Sequence, residues 1–191
     1  MTTFGVSVFQ CVASNEVTHF FNLEGIILEN TKRLHRCCFT GHRPEKIGMS
    51  EEEIKQRLRL AIKDAINDGF TTFISGMARG VDMWAAEIVL DERKNNEQIK
   101  LICASPYKGF EKRWEISEKE KYNKILNEAD FVKFVCEHYS KSCFQIRNCY
   151  MVDNSARVIS AYCGISGGTK NTILYAQRKK VETVNVCNDK L

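Results

Sequence analysis

The residues best suited to chemistry lie in glycine-bearing segments that follow apolar runs. The central one is Ser75-Gly76-Met77-Ala78-Arg79-Gly80-Val81-Asp82. Before it comes a β-branched and aromatic run, Phe70 to Ile74. After it, Val81, Trp84, Ala85, Ile88 and Val89 recur at helix spacing. A strand-to-helix turn of this kind presents unpaired backbone N–H groups at the positive end of a helix, which suits a phosphate. Gly76 and Gly80 permit a tight turn and close approach to a ligand, and Arg79 supplies a fork-shaped cation. The same residues also fit a plain strand-to-helix connection capped by Asp82, and spacing alone leaves both readings open.

Two further segments repeat the logic. Thr40-Gly41-His42-Arg43 follows the run Arg36 to Thr40, and Gly167-Gly168-Thr169 opens a helical pattern that contains Asn171. There the Thr169 hydroxyl is an extra donor or a cap. None of the three is a Walker sequence or a G-x-G-x-x-G fingerprint. Their weight comes from agreement: each lies after an expected strand.

The elements that must position them alternate along the chain. Strands are expected at Arg36 to Thr40, Phe70 to Ile74, Ile99 to Ala104, Phe131 to Cys136, Arg157 to Tyr162 and Val181 to Cys187. Helices are expected between them. One starts at a capping box, Ser50 with Glu53, and runs to Gly69 with Ile54, Leu58, Ala61, Ile62, Ala65 and Ile66 as its stripe. Others span about Glu111 to Glu128, Phe144 to Val152 and Thr169 to Lys179. This alternation specifies an α/β, three-layer, doubly wound Rossmann-like fold with a mainly parallel sheet of about six strands. Right-handed crossovers then place all strand C-termini, and all three glycine segments, on one edge.

Domain organisation reads as residues 1–35, an extension of unclear role, followed by one domain over 36–191. The first part could form a hairpin, a helix or a loosely ordered arm. The net charge of +4 admits an anionic ligand but comes without a basic block of the kind found in nucleic-acid tails. Nine cysteines without a C-x-x-C pair, several within expected strands (Cys38, Cys103, Cys136, Cys163), read as buried thiols of a reducing cytosol. Cys136, His138, Cys143 and Cys149 match no common zinc spacing, so no metal is expected. No apolar run approaches a membrane span, and no secretory signal is apparent; the expected location is the cytoplasm.

Taken together, Phe39-Thr40-Gly41-His42-Arg43-Pro44, the Ser75 to Asp82 segment and Ser166-Gly167-Gly168-Thr169-Lys170-Asn171-Thr172 resemble the YspA/YpsA-type branch of the SLOG superfamily. Pro106-Tyr107, Arg113-Trp114 and Arg147-Asn148-Cys149-Tyr150-Met151-Val152-Asp153 agree with it. The resemblance spans about residues 36 to 188. It implies a Rossmann-like fold binding a nucleotide or a nucleotide-derived molecule, such as an NAD or ADP-ribose derivative.

Two relatives set alternatives. The Ser75 to Asp82 segment is also similar to the DNA-processing (DprA/Smf) proteins, which implies single-stranded DNA binding; His42, Arg43, Arg79, Tyr107, Arg113 and Trp114 could supply part of a groove. The Lonely Guy phosphoribohydrolases are the other relatives, implying nucleotide hydrolysis. Their Pro-Gly-Gly-x-Gly-Thr signature is shortened here and its following glutamate is replaced.

The expected role is therefore recognition of a nucleotide-derived anion by a sensor or regulatory binder, with enzymatic activity left open and no particular cofactor or oligomeric state assigned. The candidate ligand-binding residues are Thr40, Gly41, His42, Arg43, Ser75, Gly76, Arg79, Gly80, Asp82, Gly167, Gly168, Thr169 and Asn171. Arg43 and Arg79 are the anion contacts. His42 is a phosphate donor or surface donor. Asp82 binds a ribose hydroxyl or an arginine, or serves as helix N-terminal charge. No catalytic residue is assigned.

Overall fold

Strand residues alternate between two apolar layers, and this alternation builds the sheet. The computed structural model describes residue 28 and residues 31–188. The chain divides into two compact units, residues 1–34 and residues 35–191, and the fold described below belongs to the second. The expectations for residues 1–27 lie outside the described residues.

The strands are β1 (Arg36–Gly41), β2 (Thr72–Ser75), β3 (Lys100–Ser105), β4 (Phe131–Phe134), β5 (Arg157–Ala161) and β6 (Glu182–Asn185). The helices are α1 (Glu51–Asn67), α2 (Val81–Arg93), α3 (Ile116–Glu128), α4 (Cys143–Asp153) and α5 (Gly168–Arg178), with a 3₁₀ turn at Pro44–Lys46. All strand pairs are parallel, in the order β4-β3-β2-β1-β5-β6. Cys37, Phe39, Phe73, Leu101, Cys103 and Ile159 pack with α1, α2 and α3 on one face. Cys38, Ile74, Ala104 and Val158 pack with Met151 and Val152 of α4 and Ala176 of α5 on the other. The result is a three-layer Rossmann-like α/β fold, as the alternation specified.

The order places a switch point beside β1. The chain steps outward from β1 to β4, and α4 then returns it to β5 on the opposite side of β1. The connection after β1 leads to α1 on one face, and that after β5 leads to α5 on the other. Such diverging connections leave a crevice at the strand C-termini.

Local boundaries differ from the sequence reading for identifiable reasons. β2 starts two residues late because the Phe70 N–H closes α1 by donating to the Ala65 carbonyl at 3.0 Å. Glu111 to Glu115 is not helical. Phe110, Lys112 and Trp114 N–H groups donate to carbonyls three residues back, and Glu115 is extended before α3 begins. Those turns pack Trp114 edge-on to Phe110 and Tyr122. The Ser50 cap is present, its hydroxyl accepting from the Glu53 N–H at 3.2 Å, while the Glu53 carboxylate accepts from Arg57. Cys38 and Cys103 are buried strand thiols, but Cys163 is exposed and Cys136 half-buried, because both lie beyond the strand ends.

Candidate functional site

A cleft of about 450 Å³ opens at the switch point. Its walls come from the β1 connection (Thr40, Gly41, His42, Arg43, Lys46), the start of α5 (Ser166, Gly167, Gly168, Thr169), and α4 (Phe144, Arg147, Asn148), with Ala78 and Asp82 below. The sheet edge itself creates this meeting: the His42 N–H donates to the Ala161 carbonyl at 3.2 Å, pinning the β1 connection to the end of β5.

The α5 wall presents backbone donors at a helix start. Gly167 precedes the helix with φ 149°, a conformation open to glycine, and no side chain caps the helix. The first intrahelical bond shown from its end is the Asn171 N–H to the Gly167 carbonyl, 3.1 Å. The N–H groups of Gly168, Thr169 and Lys170 therefore have no acceptor in the preceding turn. The helix dipole adds partial positive charge at the same point. Arg43 and Lys46 supply two cations from the facing wall.

The Ser75 to Asp82 segment plays a different part. Arg147 Nη1 donates to Asp82 Oδ2 at 3.0 Å and also to the Gly76 carbonyl. Asp82 Oδ2 accepts from the Ala78 N–H at 3.3 Å, and the Ser75 hydroxyl donates to the Asp82 carbonyl at 2.8 Å. Gly76 must lack a side chain because a Cβ would overlap Arg147 Nη1. Burial raises the Asp82 pKa above the ordinary carboxylate value, opposed by the Arg147 charge and the Ala78 N–H. These contacts form a brace under the cleft through Arg147 Nη1, while the buried Arg147 Nε has no hydrogen-bond partner among the described residues.

The structure thus brings together Thr40, Gly41, His42, Arg43, Asp82, Gly167, Gly168 and Thr169. Ser75 is fully buried and Gly76 lies against Arg147, both within the brace. Arg79 and Gly80 line a neighbouring cleft of about 240 Å³ with Pro44, Glu118 and Lys121, which Arg43 also borders. The Arg79 guanidinium lies 5.8 Å from the Trp114 ring centre. Asn171 is exposed on α5. Lys46 and Phe144 were not among the candidates; nothing in their local sequence marks them. Arg147 and Asn148 carried a signal: Cys143, Arg147 and Met151 are four apart, so the arginine shares a helix face with buried residues.

His42 is only 5% exposed, and its Nε2 has no hydrogen-bond partner among the described residues. Burial lowers its pKa from the ordinary 6.5, and the Lys46 charge adds to the effect. Its ring packs on Tyr162 at 5.3 Å. On the other side Phe144 joins an aromatic cluster, 6.4 Å from Tyr107 and 6.5 Å from Tyr139 between ring centres. Tyr139 is 62% exposed, so this cluster faces solvent beside the cleft. Another cleft, of about 460 Å³, lies among α1, α2 and α3. Several of its charges are paired, as in Arg59 with Asp91 at 2.8 Å and Lys94 with Asp91 at 3.1 Å.

A parallel sheet whose connections diverge at a switch point beside β1 defines a Rossmann-like α/β protein. The particular family follows from the sequence: the family model of the YspA SLOG family matches residues 37–188, and the chain belongs to that family. It is similar to the UPF0398 proteins of Bacillus thuringiensis (strain Al Hakam) and Bacillus cereus (strain AH187). Each is 27% identical over 154 residues, covering 76% of this chain and 84% of the relative. Among solved structures, DNA processing protein A (DprA) from Streptococcus pneumoniae matches with a TM-score of 0.55 and 18% identity, over 78% of this chain and 49% of that one. DNA processing protein A from Helicobacter pylori, whose structure concerns its single-stranded DNA binding mode, matches with a TM-score of 0.57 and 19% identity, over 81% and 66%. At these identities the likeness is one of fold. No helix among the described residues is long and apolar enough to cross a membrane.

Proposed function

We propose that the switch-point cleft binds a nucleotide or nucleotide-derived anion of the NAD or ADP-ribose kind. The observation that carries this reading is the uncapped start of α5 facing Arg43 and Lys46 across one cleft. Backbone N–H groups hold the phosphate, and the two cations offset its charge. The solvent-facing aromatics that continue from Phe144 favour a ligand with a base over a bare phosphate.

Recognition is favoured over hydrolysis by the placement of carboxylates. Among the described residues lining the cleft, Asp82 is the one carboxylate, and it is engaged by Arg147 and the Ala78 N–H. Glycosidic cleavage wants an acid or base within hydrogen-bond reach of the scissile bond. A sensor or regulatory binder in the cytoplasm fits these features.

Single-stranded DNA binding is the second reading. Arg43 borders both edge clefts, so a cationic path runs from Lys46 through Arg43 to Arg79 and Lys121. Glu45, Glu51 and Glu118 share the second cleft and oppose a longer polyanion.

Thermal-shift measurements with AMP, NAD and ADP-ribose test the first reading. A concentration-dependent rise in midpoint is expected with at least one of them, and it should shrink in Arg43→Ala. Turnover of a nucleotide by the purified protein, lost in Asp82→Asn without loss of fold, would replace recognition by hydrolysis.

A further inference from the structure

Cys163 follows β5 and Cys187 follows β6, and these strands are parallel neighbours. Their register pairs Ser160 with Asn185, so Tyr162 falls opposite Cys187 and Cys163 lies one residue beyond. The Asn185 amide clasps the two strand ends. Its Nδ2 donates to the Tyr162 carbonyl at 2.9 Å, and its Oδ1 accepts from the N–H groups of Tyr162 at 3.0 Å and Cys187 at 3.2 Å. Both cysteines line one open cleft of about 430 Å³ with Gly48, Met49 and Gly164.

The two thiols differ in setting. Cys163 is exposed and donates weakly to the Lys46 carbonyl at 3.7 Å. Cys187 is half-buried; burial pushes its thiol up to about 11, and the neighbouring Cys163 adds to the rise while Arg57 opposes it. A solvent-open thiol beside a sheltered one is the arrangement of an attacked and a resolving cysteine. Cys37, Cys38 and Cys103 have no such opening, being fully buried in the sheet.

We infer that Cys163 and Cys187 are a redox modification site that closes to an intramolecular disulfide when the protein meets a hydroperoxide. The Cys163 thiolate attacks one peroxide oxygen of hydrogen peroxide. The O–O bond breaks, and the departing hydroxide takes up a proton as water. The Cys187 sulfur, its proton released, then attacks the resulting Cys163 sulfenic acid. The S–S bond forms, the S–O bond breaks, and the hydroxide leaves as a second water with that proton. Two thiols are oxidised by two electrons and one peroxide is reduced. A small dithiol reverses the step by exchange. In the oxidised state the thiol proton that reaches the Lys46 carbonyl is gone, and the β5–α5 connection is tied to the chain following β6.

The test uses the full chain with hydrogen peroxide, followed by maleimide blocking and peptide mass spectrometry. The expected product is one cross-linked pair, Cys163 with Cys187, with the loss of two hydrogens and full recovery in dithiothreitol. Cys163→Ser and Cys187→Ser should each abolish it, and Cys187→Ser should leave a dimedone-trappable sulfenic acid at Cys163. Serine at the exposed position 163 leaves the core intact. The inference is overturned if peroxide produces no cross-link, a disulfide between two copies of Cys163, or sulfinic acid at Cys163 with Cys187 still reduced.

Discussion

Arg147 Nη1 and Asp82 Oδ2 lie 3.0 Å apart beneath the cleft, each side chain 7% exposed. The pair joins α4, which carries one cleft wall, to the first turn of α2 on the opposite face of the sheet. It crosses a sequence separation of 65 residues, so the cleft floor is set by a long-range contact.

Breaking that pair should be costly. Arg147→Met leaves a buried carboxylate with one backbone donor, and such losses run to about 3–5 kcal/mol. The double variant with Asp82→Leu should lose less than the sum of the two single changes. Urea unfolding of the four proteins measures this cycle. Strictly additive losses would mean that the two groups do not act as a pair.

The two glycines should fail in different ways. Gly76→Ala drives a methyl group into Arg147 and should lower the unfolding midpoint of the whole domain. At Gly167 a Cβ meets nothing within 4 Å, so Gly167→Ala carries only the backbone cost of φ 149°. That cost is about 1–3 kcal/mol if retained, and relaxation of the loop would turn the α5 N–H groups away from the cleft. Gly167→Ala is therefore expected to abolish an ADP-ribose thermal shift with a smaller loss of intrinsic stability than Gly76→Ala. An unaltered shift would remove the α5 start from the site.

Much of this arrangement is legible from local sequence. Helix starts such as Ser50 and the alternation of apolar runs depend on residues a few positions apart, and those set the layers and the strand edge. Arg79 and Arg147 show where such reading ends. Both are arginines near glycine-bearing loops or family motifs. One stands over Trp114 outside the cleft, and the other is buried on Gly76 and Asp82. What separates them is which distant carbonyl or ring each meets after folding. Cys163 shows the same limit, since one residue beyond Tyr162 changes a strand thiol into an exposed one.

His42 should impose an acid limit on stability. Its folded pKa is lowered from 6.5, so the unfolded chain takes up a proton more readily. The contribution is complete above that value and is lost as pH falls through it. Thermal midpoints between about pH 7 and about pH 5 should therefore decline, and His42→Gln should flatten part of the decline. A bound anion stabilises the imidazolium, so ADP-ribose affinity should rise over the same fall in pH. Identical pH profiles for the two proteins would show that His42 does not carry this proton.

Salt dependence separates the two ligand readings. Single-stranded nucleic acid loses affinity with a log–log slope of about −0.7 for each phosphate neutralised. The first cleft offers Arg43 and Lys46 to a phosphate, with Arg147 committed to Asp82. Extending the path adds Arg79 and Lys121 but also Glu45, Glu51 and Glu118. A nucleotide seated on the α5 start draws part of its affinity from neutral N–H groups, whose contribution does not depend on released counterions. ADP-ribose binding should thus weaken shallowly with salt, and an oligothymidylate should bind weakly, steeply and in competition with it. If the oligonucleotide binds more tightly, with a slope of several phosphates and no displacement by ADP-ribose, the working surface is the longer path through Arg79, and Arg79→Ala should then reduce that slope by about one phosphate's worth.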